Sequence, residues 1–219
     1  MELSNRQPVP ETLEADVDQL VQRIMTGLSP GGRIILGLCG APGAGKSTFA
    51  DQLAQALGSD RAVVVPMDGF HLGHDVIKDS PKLDRKGAID TFDVGGYRSL
   101  LQRIKSREED VVYAPAYRRG LEEPIAASIP VPRDHPVVIT EGNYLLAPDP
   151  RWQAVRAELD QVWYLETPDE LRLTRLIDRH VHFGKALSKA VEWVHRSDEP
   201  NADFIRTTRG SADLIVRLT

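Results

Sequence analysis

There is one cysteine, Cys39, in 219 residues, so no disulfide can form within the chain and the fold must hold without cross-links. Its place at the end of an apolar run marks it as a small buried hydrophobe. Positive charge is also short. Lys and Arg number 27 against 32 Asp and Glu, a net charge of −5, which gives no electrostatic case for nucleic acid or an anionic membrane as partner. No apolar run approaches the length of a membrane span. The polar segment Met1–Pro10 carries no apolar h-region, so a signal peptide is not expected and a reducing cytoplasm fits. Internal repeats and low-complexity tracts are missing too. The length suits one domain spanning residues 1–219 with a full core. Oligomeric state is not legible, and a homodimer stays open.

What is present is Gly40-Ala41-Pro42-Gly43-Ala44-Gly45-Lys46-Ser47, the pattern G-x-x-x-x-G-K-[ST]. The flanks are what that pattern requires. Arg33–Cys39 is an apolar run that ends at the first glycine. Thr48–Leu57 follows as a helix with Phe49, Leu53, Ala56 and Leu57 on one face. Strand, glycine loop and helix together make a phosphate cradle. Backbone N–H groups turn inward there, and the helix N-terminus adds partial positive charge. The candidate nucleotide-binding residues are Gly40, Ala41, Gly43, Ala44, Gly45, Lys46, Ser47 and Thr48. Lys46 is expected at the β- and γ-phosphates of ATP, and Ser47 at Mg²⁺.

The remaining pattern alternates strands with helices. Leu13, Val17, Leu20, Val21 and Ile24 predict a helix over about 11–27. Ala62–Val65, Val137–Thr140, Val162–Leu165 and Leu214–Val216 read as buried strands, and Val111–Tyr113 as a short one. Residues 72–92 read as a long functional loop, and proline-rich 114–135 as irregular. Thr167-Pro168-Asp169-Glu170 predicts a capping box opening a helix to about His180. The fold class is therefore α/β, with a mostly parallel sheet covered by helices on both faces.

Ligands in such sheets sit beyond the strand C-termini. There the sequence places two carboxylates, Asp68 and Glu141. One suits a general base and the other a metal partner, so Asp68 is the candidate base and Glu141, with Ser47, the candidate metal ligand. Arg172, Arg175 and Arg179 recur at spacings of three and four on one helix face and are candidate clamps for a transferring phosphoryl group. A mobile lid is expected over about 179–190. His180 and His182 cannot share a helix face, so a histidine metal site is not expected. Asp93-Val94-Gly95-Gly96 superficially matches a GTPase switch, but no Asn-Lys-x-Asp element exists.

Taken together, Gly40–Ser47, Val65-Pro66-Met67-Asp68-Gly69-Phe70-His71, Arg85–Ala88 with Asp90–Asp93, Tyr113–Tyr117 and Ile139-Thr140-Glu141-Gly142-Asn143-Tyr144 resemble the uridine kinase, phosphoribulokinase and bacterial pantothenate kinase group. The likeness is strongest to bacterial proteins labelled fructose transport system kinases, and it runs from about residue 30 to the end. The resemblance implies a P-loop NTPase fold with a five-stranded core and a small lid. It implies ATP, Mg²⁺ and transfer of the γ-phosphoryl group to a hydroxyl of a small polar metabolite such as fructose. A nucleoside or pantothenate is the alternative acceptor. It also sets Arg85, Asp93 and Tyr117 on the acceptor side and matches Glu141 to the group's second acidic residue, while His71, in the loop after Asp68, is a further candidate for substrate contact by its position. Arg118 stands where uridine kinases carry an acidic residue, which argues against uridine. From another class, an ATPase switch without an acceptor remains the rival reading.

Overall fold

The computed structural model describes residues 9–218. Six strands form one parallel sheet: β1 (Glu11–Ala15), β2 (Ile34–Cys39), β3 (Ala62–Pro66), β6 (Val137–Glu141), β7 (Gln161–Leu165) and β8 (Leu214–Leu218), in the order β1-β8-β7-β2-β6-β3. Strands β4 (Val111–Arg118) and β5 (Glu123–Pro132) form a separate antiparallel hairpin. The helices are α1 (Val17–Gly27), α2 (Lys46–Leu57), α3 (His74–Ile77), α4 (Val94–Ser106), α5 (Pro150–Arg156), α6 (Asp169–His182), α7 (Leu187–Trp193) and α8 (Glu199–Thr207).

Alternation along the strands fills both faces of the sheet. Ile35, Cys39, Val138, Val162, Tyr164 and Ile215 pack on one side with Tyr97, Leu101, Trp152 and Ile205 from α4, α5 and α8. Leu36, Leu38, Val137, Ile139, Trp163 and Val216 pack on the other with Leu20, Phe49 and Leu53 from α1 and α2. Cys39 is buried, as its position predicts.

Four expectations need correction. The sheet has six strands, not five, because residues 11–15 form β1 rather than the start of a helix. Leu13 and Val17 fall four apart, but Asp16 between them caps α1 by accepting from the Gln19 N–H, and so separates strand from helix. The capping box at residues 167–170 is absent. The Thr167 hydroxyl instead donates to the Ala44 carbonyl. Residues 114–135 are ordered, and their prolines 115, 124, 130 and 132 are tolerated because both strands of a hairpin are edges. The segment 72–92 contains α3 and a short 3-10 turn at Leu83–Arg85. At the expected lid, α6 continues to His182, and residues 183–186 join it to α7.

Candidate active site

β2 delivers the chain into the glycine loop, and α2 begins at Lys46. Gly43 has φ +79°, a conformation that disfavours side chains, and a Cβ there would lie 2.6 Å from the Arg172 carbonyl oxygen. Glycine at this position thus allows α6 to pack directly on the loop. Lys46 Nζ is buried and donates to Gly40 O at 2.9 Å, Ala41 O at 3.2 Å and Asn143 Oδ1 at 2.7 Å. Burial pushes its pKa down, and the Glu141 carboxylate opposes that shift.

Strands β3 and β6 are neighbours, with Pro66 opposite Glu141. This register sets Asp68, in the turn after β3, beside the end of β6. Glu141 is buried and accepts from the Ser47 hydroxyl at 2.9 Å. Burial first, then the nearby Asp68, pushes the Glu141 carboxyl pKa up. Asp68 keeps partial contact with solvent and accepts from Arg119 Nη2 at 3.4 Å. His71 Nδ1 lies 2.7 Å from the Asp68 carbonyl oxygen. A carbonyl only accepts, so Nδ1 carries the proton in this arrangement. The ring lies between Phe92 and Tyr117, at centroid distances of 4.2 and 4.6 Å. Burial lowers the His71 pKa. The Tyr117 hydroxyl donates to Glu122.

The three arginines of α6 occupy different surroundings. Arg172 is buried, and its guanidinium donates to Pro42 O, Asp169 and Glu199. It ties α6 and α8 to the underside of the loop. Arg175 reaches over the loop, with Nη1 3.2 Å from where a Cβ on Gly45 would lie. Arg179 is half-buried in the field of Asp198, Asp68 and Glu141. Neither Arg175 nor Arg179 has a side-chain hydrogen-bond partner among the described residues. Arg172→Ala is expected to cost about 2–3 kcal/mol in urea unfolding. That is less than for a fully enclosed pair, since Glu199 and Asp169 retain water. A change below about 0.5 kcal/mol, the spread of ordinary surface positions, would remove the bracing role.

Two expected acceptor-side residues have their side chains engaged by local partners, although the Asp93 N–H donates to the Phe70 carbonyl at 2.8 Å and so adjoins the Asp68–His71 turn. Asp93 is exposed and caps α4 by accepting from the Gly96 N–H. Arg85 is exposed and pairs with Asp90 at 2.9 Å. Two residues were not singled out from the sequence. Asn143 holds Lys46, and its signal was its place two residues beyond Glu141 at a strand end. Arg119 meets Asp68 from the hairpin tip, and no local pattern pointed to it.

Among the described residues there is no group of three or more His, Cys, Asp or Glu able to hold a metal. Ser47 and Glu141 offer hard oxygen donors that suit Mg²⁺ held jointly with phosphate oxygens rather than in a protein cage. No described helix is long and apolar enough to cross a membrane.

Comparison with known proteins gives the family. A Schizosaccharomyces pombe protein named "Putative uridine kinase" is 31% identical over 210 residues, covering 91% of this chain and 89% of its own. A pantothenate kinase of Mesorhizobium japonicum is 28% identical, covering 84% of this chain and 67% of its own. The crystal structure of a "putative fructose transport system kinase" from Silicibacter superposes with a TM-score of 0.84 at 36% identity, over 92% of this chain and 98% of that one. Residues 35–219 match the Phosphoribulokinase / Uridine kinase family, and the chain belongs to that family of P-loop kinases.

Proposed function

We propose that this protein transfers the terminal phosphoryl group of ATP to a hydroxyl of a small polar metabolite. The observation that carries the reading is the convergence of Lys46, Ser47, Glu141 and Asp68 at one end of the sheet, with the unpaired forks of Arg175 and Arg179 beside them. The loop amides and Lys46 bind the phosphates, exchanging the carbonyl contacts of the lysine for phosphate oxygens. Bound Mg²⁺ supplies charge neutralisation on the phosphate oxygens, and Ser47 and Glu141 are its partners on the protein. Asp68 takes the proton of the acceptor hydroxyl. Arg175 and Arg179 stabilise charge on the moving group. Arg172 braces the loop. His71 and Tyr117 line the acceptor side, and neutral His71 leaves Nε2 able to accept from a hydroxyl.

A cavity of about 700 Å³ opens beside Ala41 and Ala44, between the ends of β7 and β8 and the start of α6. Its size suits a ligand pocket, and we place the nucleoside end of ATP there. The reaction belongs in the cytoplasm, where ATP and Mg²⁺ are supplied.

Fructose is one candidate acceptor, supported by the likeness to the Silicibacter protein. A nucleoside or pantothenate is the alternative, supported by the other two relatives. The test is ATP consumption by purified protein with Mg²⁺, alone and with each compound, followed by product mass. Turnover should need Mg²⁺, disappear with a chelator, and rise with one acceptor. Fast hydrolysis that no acceptor changes would favour an ATPase switch instead.

A further inference from the structure

Asn143 is fixed from several directions. The preceding Gly142 N–H donates to the Leu38 carbonyl at 3.0 Å, and the Asn143 carbonyl accepts from Cys39 Sγ at 3.3 Å. Both contacts tie it to β2, the strand that feeds the glycine loop. Gly142 lets the chain lie against the turn after β3, since a Cβ there would stand 2.5 Å from Met67 Sδ. The side chain then meets Lys46 Nζ at 2.7 Å. An ammonium only donates, so the amide atom on Lys46 is Oδ1, and Nδ2 is the other branch of the same plane. Nδ2 has no hydrogen-bond partner among the described residues. The buried side-chain atoms in that condition are Asp90 Oδ1 and Trp152 Nε1, so Nδ2 keeps contact with solvent. Two N–H bonds on a fixed, half-buried side chain are left unused beside the lysine.

We propose that Asn143 is a catalytic residue, and that Nδ2 donates to an oxygen of the γ-phosphoryl group while Oδ1 stays on Lys46. This rests on the kinase reading above. Lys46 has three N–H bonds, and its partners come from two sides. Gly40 O and Ala41 O belong to the loop, whereas Asn143 belongs to the end of β6, where Glu141 stands and the Asp68 turn adjoins. Turning to the β- and γ-phosphates uses two of the three donors. The loop carbonyls are released, and the third donor stays on Oδ1. The amide plane then carries Nδ2 to the base side of the phosphates, toward which the phosphoryl group moves.

The acceptor O–H bond breaks and its proton passes to Asp68. The new O–P bond forms, and the bond from phosphorus to the ADP oxygen breaks with its electron pair left on ADP. Nδ2 is in place before that movement, so its dipole meets the shifting charge without reorganisation. The residue type agrees. For holding an ammonium alone, aspartate is the stronger partner. Asparagine adds N–H donors and keeps a further negative charge away from the phosphates.

Two variants separate donor from holder. Asn143→Asp keeps an oxygen for Lys46 and removes both N–H bonds. Asn143→Leu keeps the size and removes both functions. The probes are ADP and the non-transferable imido analogue of ATP, each with Mg²⁺, titrated by calorimetry, so no acceptor is needed. The preference for the analogue over ADP should fall about tenfold or more in both variants, as for one lost hydrogen bond to a charged group. A smaller fall in either folded variant overturns the proposal and keeps the kinase reading, with Asn143 left to hold Lys46. Failure of the parent protein to bind either nucleotide overturns both. Thermal midpoints identify a variant that does not fold, and the other then decides; Asn143→Asp retains the lysine contact and is expected to fold.

Discussion

Asp68→Asn is expected to lower kcat by about 10²- to 10⁴-fold, the range for loss of a positioned base, while KM for ATP stays within about threefold of the parent, a spread too small to signal lost binding energy. The substitution keeps shape and removes basicity. Asp68 lies on the turn after β3, and its side chain makes no hydrogen bond to Lys46 or Ser47 but accepts from Arg119. ATP binding therefore has no reason to change. Glu141 is engaged on the cradle side: it is buried, and the Ser47 hydroxyl occupies one of its oxygens. Steady-state kinetics with a turned-over acceptor provides the check. A kcat within threefold of the parent (about 0.65 kcal/mol in barrier) would place the base elsewhere.

The second large effect concerns Lys46. Lys46→Met should cut kcat/KM by about 10²- to 10³-fold, as for removal of one preorganised donor to developing charge. Stability should respond quite differently. The lysine is a buried cation, and its pKa is depressed by burial, so the folded state bears a desolvation cost that methionine would not. Against this, Gly40 O, Ala41 O and Asn143 Oδ1 each lose a donor, at about 1–3 kcal/mol apiece where water cannot replace it. The loop opens toward solvent at Ser47 and Thr48, which are exposed, so water replaces much of that. The thermal midpoint should shift by no more than a few degrees, roughly 1 kcal/mol for a chain of this size. A collapse in stability would mean that Lys46 serves mainly to hold the loop, and the kinetic loss could then not be read as lost phosphate contact.

Much of this arrangement was legible in the sequence, and the exceptions have a common cause. Motifs read well where a strand end, a loop and a helix start are contiguous. Gly40–Ser47 is such a segment. Asp68 and Glu141 each follow an apolar run, so the rule of ligands beyond strand ends found both. The five strands beside the cradle were likewise plain as short apolar runs. Sequence reading failed where a residue's role depends on what lies across space. Arg172, Arg175 and Arg179 share a helical stripe, yet one is committed to Pro42 O, Asp169 and Glu199, and two are left open. Periodicity cannot separate them. Arg119 was hidden because it belongs to a hairpin whose prolines suggested irregular chain, and because the tip reaches Asp68 only through tertiary folding. Residues 11–15 were misread since an edge strand half covered by its neighbours alternates weakly. Only Ala15 is fully buried there.

That edge strand has a consequence in time. β1 pairs with β8 in parallel register, Glu11 opposite Leu214 through Ala15 opposite Leu218. The two partners are about 200 residues apart along the chain. A ribosome adding roughly 5–20 residues per second therefore takes about 10–40 s between finishing one and finishing the other. Throughout that interval the backbone donors and acceptors of β1 on its pairing side have no strand to meet. The rest of the sheet can gather around β2, β3, β6 and β7, while the first strand made is among the last to be seated. An extended segment in that condition is open to association with other nascent chains. Glu11 and Glu14, both exposed, place like charges along this strand, which opposes its pairing with a second copy of itself during the wait.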